Sequence, residues 1–113
     1  MSDCVFCRIV SGEVPADVVL ETDRALAFRD LDGQAPTHVL VVPREHHADV
    51  ASVADADPSL LADVLAAAVA VARQEGLDGG YRLVANTGAD GGQSVHHLHW
   101  HVLGGRALSW PPG

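Results

Sequence analysis

Four of the seven histidines of this 113-residue chain lie within six residues near its C-terminus. His97, His99 and His101 alternate there with apolar residues. Because a β-strand has a period of two residues, the three imidazoles are expected on one face at intervals of ~6.6–6.8 Å, with the apolar residues facing a core. Imidazoles favour strands weakly and need partners when buried, so the pattern predicts a reactive face. His96 points the other way and receives no role.

Two other interpretations of the histidines stay open. One is a surface strand that carries histidines without chemistry. The other is a metal centre made of His97, His99 and a third ligand such as His38, because alternate histidines of a strand bind zinc. We favour catalysis or nucleotide binding, because the spacing is regular and a glycine-rich loop comes directly before the histidines.

That loop has the sequence NTGADGGQS over residues 86–94. Glycines let the backbone approach an oxyanion closely, and successive N–H groups form an anion nest without any lysine. Alone, such a loop is more often a hairpin connection. Beside three histidines that face one way, it predicts a phosphate site.

Cys4 and Cys7 are the only cysteines. In a reducing compartment, a separation of two residues indicates a metal or redox pair before a structural disulfide. No thioredoxin-like βαβ pattern surrounds them, which disfavours the redox role, whereas two buried thiols remain an alternative. A structural zinc needs two further ligands.

Several elements must position these groups. Short apolar runs predict a hairpin formed by Val18–Glu21 and residues 25–28, and the β-branched segment Thr37–Pro43 predicts a strand that carries His38. A helical period begins at Asp57-Pro58, with Asp57 as the N-cap, and ends near Gly76. The last two predicted strands are residues 81–86 and 95–103.

Composition restricts the function classes. The length fits one domain over residues 1–113. Seven basic against fifteen acidic residues give a net charge of −8, and the arginines are scattered singly, which excludes nucleic acids and anionic membranes as leading partners. No signal peptide or membrane-spanning run is found in the sequence, so we expect a cytoplasmic protein.

The sequence HLHWHVL at residues 97–103 resembles the motif of the histidine triad family. The similarity extends to the cysteine pair, to residues 28–30 and 35–43, to Asn86 and residues 90–94, and to the ending GGR and WPPG. Nearly the whole chain is covered, and the ending is similar to the histidine triad nucleotide-binding (Hint) branch rather than to the dinucleoside-polyphosphate hydrolase (Fhit-like) branch.

The resemblance implies an α+β fold, in which a five-stranded antiparallel sheet carries one long helix and a short one and continues across a homodimer. It implies hydrolysis at the α-phosphorus of purine nucleoside monophosphate conjugates, phosphoramidates or acyl-phosphates, through a nucleotidyl-histidine. A non-catalytic nucleotide-binding scaffold and a dinucleoside polyphosphate hydrolase are the alternatives.

The resemblance also implies roles for individual residues. His99 is the nucleophile, Ser94 assists the leaving group, and His38 and His101 complete the polar face, where protonated imidazoles would stabilise phosphoryl oxygens without a metal. The implied nucleotide-binding residues are Asp30, Leu31, Asn86, Gly92, Gln93, Ser94, His99 and His101. Asp30 is otherwise an ordinary turn residue, and Asn86 a residue at the end of a strand.

Some bacterial relatives bind a structural zinc, which implies the ligands Cys4, Cys7, His46 and His97 here. Hint-like proteins pair through the long helix, here residues 58–75, and the strand at residues 81–86. The tail Trp110-Pro111-Pro112 is apolar and stiff, with no element to join. We therefore expect residues 108–113 to lie near the partner's nucleotide pocket.

Overall fold

The computed structural model describes residues 3–113, which form three helices and five strands. In chain order the elements are α1 (Val5–Val10), β1 (Val18–Glu21), β2 (Ala25–Arg29), β3 (Thr37–Pro43), α2 (Val50–Ala56), α3 (Pro58–Gln74), β4 (Tyr81–Val84) and β5 (Trp100–Gly104).

The five strands form one antiparallel sheet with the order β1-β2-β3-β5-β4. This confirms the predicted α+β class with a five-stranded antiparallel sheet. β3 is the central strand, and all seven of its residues are buried. In the β3–β5 register Leu40 pairs with His101, which brings His38, two residues before Leu40, close to His101.

Apolar side chains pack on both faces of the sheet. On one face Val39 and Val41 of β3 contact α3 residues such as Val64 and Val71 in the larger core. On the other face Leu40 and Val42 join a smaller core. The alternation along β3 therefore separates a structural face, covered by α3, from the face that carries the site.

The long helix α3 begins and ends where the sequence predicts. The Asp57 side chain accepts a hydrogen bond from the Leu60 amide, and Pro58 occupies the first turn, where its missing N–H is not needed. Gly76 follows the helix with φ of +71°, a conformation that costs other residues more than glycine. No helix within residues 3–113 has the length and apolar content needed to cross a membrane.

The number of short helices and the bounds of two strands differ from the predictions. Two short helices accompany α3 instead of one, because α1 forms beside the cysteine pair. The strand predicted over residues 81–86 ends at Val84. The strand predicted over residues 95–103 begins only at Trp100, because the chain before it makes other hydrogen bonds: the Leu98 amide donates to the carbonyl of His47, and the Val95 carbonyl accepts from the Gln93 side chain.

Candidate active site and metal centre

His99 is buried, and a hydrogen bond to a nearby backbone carbonyl sets the orientation of its ring. Nδ1 of His99 lies 2.8 Å from the carbonyl oxygen of His97. Because a carbonyl can only accept, Nδ1 carries the proton and Nε2 keeps its lone pair. His97 and His99 are buried, which contradicts the interpretation that a surface strand carries these histidines without chemistry.

His38, His101 and Asn86 form a hydrogen-bonded chain whose direction is determined. The backbone amide of Gln34 donates to Nδ1 of His38 over 3.0 Å, so the proton of His38 is on Nε2. That proton points to Nδ1 of His101 at 2.9 Å, and Nε2 of His101 then donates to Oδ1 of Asn86 at 3.0 Å. The Asn86 amide group donates to the Gly91 carbonyl, which fixes the orientation of this side chain.

His101 is neutral near pH 7 in the absence of a ligand. Burial is the largest cause, and together with the neighbouring His99 and His38 it lowers the pKa of His101 to about 4, although Asp30 opposes the shift. A protonated His101, as the resemblance implies, therefore requires that a bound phosphate supply the compensating negative charge.

A pocket of about 330 Å³ opens beside His99 and His101. Its walls are mostly apolar, which suits a planar base and a sugar, and polar groups are few. The apolar lining is Val5, Phe6, Ile9, Val14, Pro15, Ala16, Phe28, Leu31, Leu40 and Val95, and the polar lining is Asp17, Arg29, Asp30, Ser94, His99 and His101.

Five of the predicted site residues line this pocket, and one of them, Leu31, is exposed. The other four are Ser94, His99, His101 and Asp30. Oδ1 of Asp30 accepts from the Asp32 amide, which is the turn role considered above, while Oδ2 lies 3.4 Å from Nε2 of His38.

The other residues predicted for the catalytic and nucleotide site do not line this pocket. His38 and Asn86 contact His101 rather than the pocket. The Gln93 side chain is used within the loop, where its amide group donates to the carbonyl of Ala48 and its oxygen accepts from the Gly88 amide. Gly92 lies beside Asn86 with φ of +79°. Their observed contacts shape the loop that ends at Ser94.

The predicted metal ligands lie together. Possible ligand atoms of Cys4, Cys7, His46 and His97 are all within 4.8 Å of one another. Nδ1 of His97 lies 3.3 Å from Sγ of Cys4, 3.5 Å from Sγ of Cys7 and 3.1 Å from Nδ1 of His46. Zinc bonds of ~2.0–2.3 Å in a tetrahedron separate ligand atoms by roughly 3.3–3.8 Å, so the donors fit a zinc ion with small adjustments.

The ring of His97 is prepared for this role. Its Nε2 donates to the carbonyl of Pro43 at 2.9 Å, which leaves the Nδ1 lone pair directed at the thiols. Burial also lowers the pKa of His97 and favours the neutral form that a metal requires. The alternative of a centre made of His97, His99 and His38 is wrong: within residues 3–113, His97 groups with the cysteines and His38 with His101.

Asp30, His38 and His101 also converge within 4.8 Å. A metal there would have to replace the Nε2 proton of His38, because Nδ1 already accepts from Gln34. The result would be an imidazolate, which is costly. The hydrogen-bonded chain explains these three residues better than a metal does.

Sequence reasoning missed the contribution of α1. Phe6 is buried in the smaller core, and its ring lies edge-on to Phe28, His97 and His99 with centroid distances of 5.5, 5.9 and 5.1 Å. Val5, Phe6 and Ile9 together line the pocket. The signal was present as apolar residues at helical spacing around the cysteine pair.

Comparison with known proteins agrees with this geometry. The HIT domain family model matches residues 11–108. The crystal structure of a HIT family hydrolase from Legionella pneumophila superimposes with a TM-score of 0.94 at 52% identity, covering 98% of this chain and all of that one. A 14 kDa zinc-binding protein of Zea mays is 45% identical over 99% of this chain and 89% of its own length.

A histidine triad nucleotide-binding protein from Candida albicans superimposes with a TM-score of 0.83 at 28% identity, covering 98% of this chain and 85% of that one. The family model covers most of the chain, and the two more similar relatives align with nearly all of it. The chain belongs to the HIT domain family.

Proposed function

We propose that this protein is a Hint-like, purine nucleotide-binding hydrolase that cleaves phosphoramidate or acyl-phosphate bonds at the α-phosphorus of AMP or GMP conjugates. The observation that carries the proposal is the hydrogen bond from Nδ1 of His99 to the His97 carbonyl, which leaves a nucleophilic Nε2 on a residue that lines the pocket. The L. pneumophila and C. albicans relatives, a hydrolase and a nucleotide-binding protein by description, support it.

The reaction has two steps. The Nε2 lone pair of His99 attacks the α-phosphorus, the bond from phosphorus to the leaving nitrogen or oxygen breaks, and the leaving group takes a proton with assistance from the Ser94 hydroxyl. Water then attacks the nucleotidyl-histidine, breaks its P–N bond and releases the nucleoside monophosphate and neutral His99. One proton of the attacking water passes to the Ser94 oxygen and replaces the proton that the leaving group took, so atoms and charge balance.

Two features stabilise the cationic ring that forms in the first step. The His97 carbonyl accepts from Nδ1–H of His99 and becomes a stronger partner as the ring gains positive charge. The His101 ring, 5.0 Å away, is neutral before the nucleotide binds, because its pKa is lowered to about 4, and so it adds no uncompensated positive charge beside the adduct. Hydrogen bonds with His38 and Asn86 hold the His101 ring in place. The Asp30 carboxylate accepts hydrogen bonds from the ribose hydroxyls.

We also propose a structural zinc held by Cys4, Cys7, His46 and His97. The donor set of two thiols and two imidazoles is typical of structural zinc, and the Z. mays relative is described as zinc-binding. Zinc supplies charge and cross-linking there, while the proposed bond cleavage uses His99. Thiolate ligands favour a reducing compartment, and we assign the protein to the cytoplasm.

The proposed assembly is a homodimer. β4 is an edge strand with an unpaired side, and Tyr81 on it is 41% exposed. Trp110 is 81% exposed, although the Arg82 side chain donates a hydrogen bond to the carbonyl of the neighbouring Ser109. Pairing through α3 and β4 would continue the sheet across two chains and cover the tail.

The proposed function is tested by incubation with adenosine phosphoramidate and intact-mass analysis. The expected result is an adenylylated species in the native protein and none in His99→Ala, with turnover lost in the variant. A protein that binds AMP without turnover would instead support a non-catalytic nucleotide-binding scaffold. Faster cleavage of dinucleoside polyphosphates than of phosphoramidates would support a dinucleoside polyphosphate hydrolase.

A further inference from the structure

We infer that Phe6 is a positioning residue through which the metal centre controls nucleotide affinity. This inference rests on the proposed function, because it takes AMP as the ligand of the 330 Å³ pocket and zinc as the metal. It goes further by making the two sites energetically coupled.

The coupling begins with the size of α1. The helix has six residues, Val5–Val10, and a helix of that length is not stable without tertiary contacts. Its N-cap is Cys4, and Cys7 lies within its first turn, so both thiols of the metal cluster belong to this helix. The other two ligands, His46 and His97, come from distant parts of the chain. A metal therefore ties α1 to the rest of the molecule.

Phe6 lies between the two thiols in sequence and faces the pocket. Its ring contacts His97, a metal ligand, and His99, the proposed nucleophile, and it lines the pocket together with Val5 and Ile9. The same helix thus supplies the metal thiols and one wall of the nucleotide pocket. Losing the metal leaves the helix held only by apolar packing such as that of Phe6 in the smaller core, so the nucleotide then has to supply more of the ordering of this wall.

The consequence is reciprocal. If zinc raises the affinity for AMP by some factor, AMP must raise the affinity for zinc by the same factor. Couplings of this kind are typically ~5–150-fold. The expected result is an AMP Kd at least ~5-fold higher in the metal-free protein, and an equal tightening of zinc by saturating AMP.

The experiment measures binding rather than turnover. Calorimetry gives the AMP Kd of the zinc-loaded and the chelator-treated protein, with circular dichroism to verify that both are folded. Competition with a chromophoric chelator, with and without saturating AMP, measures the same coupling from the zinc side and does not require isolation of the metal-free form.

A matched pair of variants separates the metal from its surroundings. His46→Asn removes a ligand and is expected to weaken AMP binding, whereas His47→Asn changes the next residue, whose ring contacts Glu45 outside the cluster, and is expected to leave both affinities unchanged. Phe6→Leu is expected to keep one zinc per chain and to weaken AMP binding. The factor by which zinc changes the AMP Kd should fall toward one in this variant.

Two results would overturn the inference while leaving the proposed function intact: equal AMP affinity in the folded zinc-loaded and metal-free proteins, or full coupling retained in Phe6→Leu. Absence of AMP binding by the zinc-loaded native protein would refute the proposed function itself. The two failures are therefore distinguishable.

Discussion

The carbonyl oxygen of His97 accepts a hydrogen bond from Nδ1 of His99 over 2.8 Å, while the ring of His97 turns to the two cysteines. One residue therefore belongs to both centres, its backbone to the nucleophile and its side chain to the metal cluster. A structural change at the cysteines is therefore transmitted through a single residue, His97, to the hydrogen bond that orients His99.

Ser94→Ala is expected to slow the hydrolysis of substrates with poor leaving groups by ~10²–10⁴-fold, because general acid assistance has that magnitude. Ser94 lines the pocket with His99, and its hydroxyl is the neutral proton donor proposed for the leaving group. Steady-state kinetics over a series of leaving groups measures the effect. If the rate falls by the same factor for good and poor leaving groups, Ser94 does not donate a proton to the leaving group.

Chelation is expected to lower the melting temperature substantially. Zinc coordination contributes ~10–16 kcal/mol in small peptide sites, and here the four ligands join α1 to the β3–α2 connection and to the segment before β5. Metal analysis should give one zinc per chain in protein purified without chelators, and scanning calorimetry should show the shift. Purified protein without zinc would contradict the prediction.

Replacing His101 by Gln is expected to flatten the pH dependence of stability. The folded-state pKa of about 4 lies below the ordinary value of 6.5, so the unfolded chain binds more protons between these values. The contribution of neutral His101 is therefore complete above pH 6.5 and is lost as the pH falls toward 4.

Urea unfolding of the native protein and of His101→Gln at pH 7 and pH 4.5 measures this difference. Loss of zinc at low pH affects both proteins alike and cancels in the comparison. An identical fall of stability in both would mean that His101 is not the group responsible.

Gly91→Ala is expected to destabilise the protein by ~1–3 kcal/mol, the usual cost of an overpacked site, and to lower activity. A Cβ at Gly91 would overlap the carbonyl oxygen of Thr87, so the loop would have to move. That movement would displace the Gly91 carbonyl, which holds Asn86 and through it His101.

Gly79→Ala is the matched control, because a Cβ there meets no atom within 4 Å. Thermal unfolding and kcat/KM of both variants separate a local effect on the loop from a general effect of removing a glycine. Similar losses in the two variants would argue against the special role of Gly91.

Deleting residues 110–113 is expected to change substrate preference while leaving the homodimer intact. The exposed Trp110 belongs to a tail that we place near the partner's pocket, whereas the proposed pairing surfaces lie on α3 and β4. Light scattering at micromolar concentration and kcat/KM across leaving groups measure the two properties. A monomeric native protein, or a truncated one with unchanged selectivity, would contradict this assembly.

Local patterns in the sequence determined much of the fold and the composition of the site. The cap at Asp57, the break at Gly76 and the β-branched run of β3 are local signals, and the structure confirms them. Alternation correctly assigned Leu98 and Val102 to the core and His99 and His101 to the opposite side. These signals are readable because capping, turn formation and periodicity depend on neighbours in the chain.

Only the tertiary structure decided what each histidine does. The segment before Trp100 is not a strand, because Leu98 donates its amide to His47 and the His97 carbonyl accepts from the His99 ring. This irregularity lets the rings of His97 and His99 serve different centres instead of repeating along one face. Hydrogen bonds between residues far apart in sequence, such as that of His97 with Pro43, follow from the path of the whole chain and leave no periodic trace in the sequence.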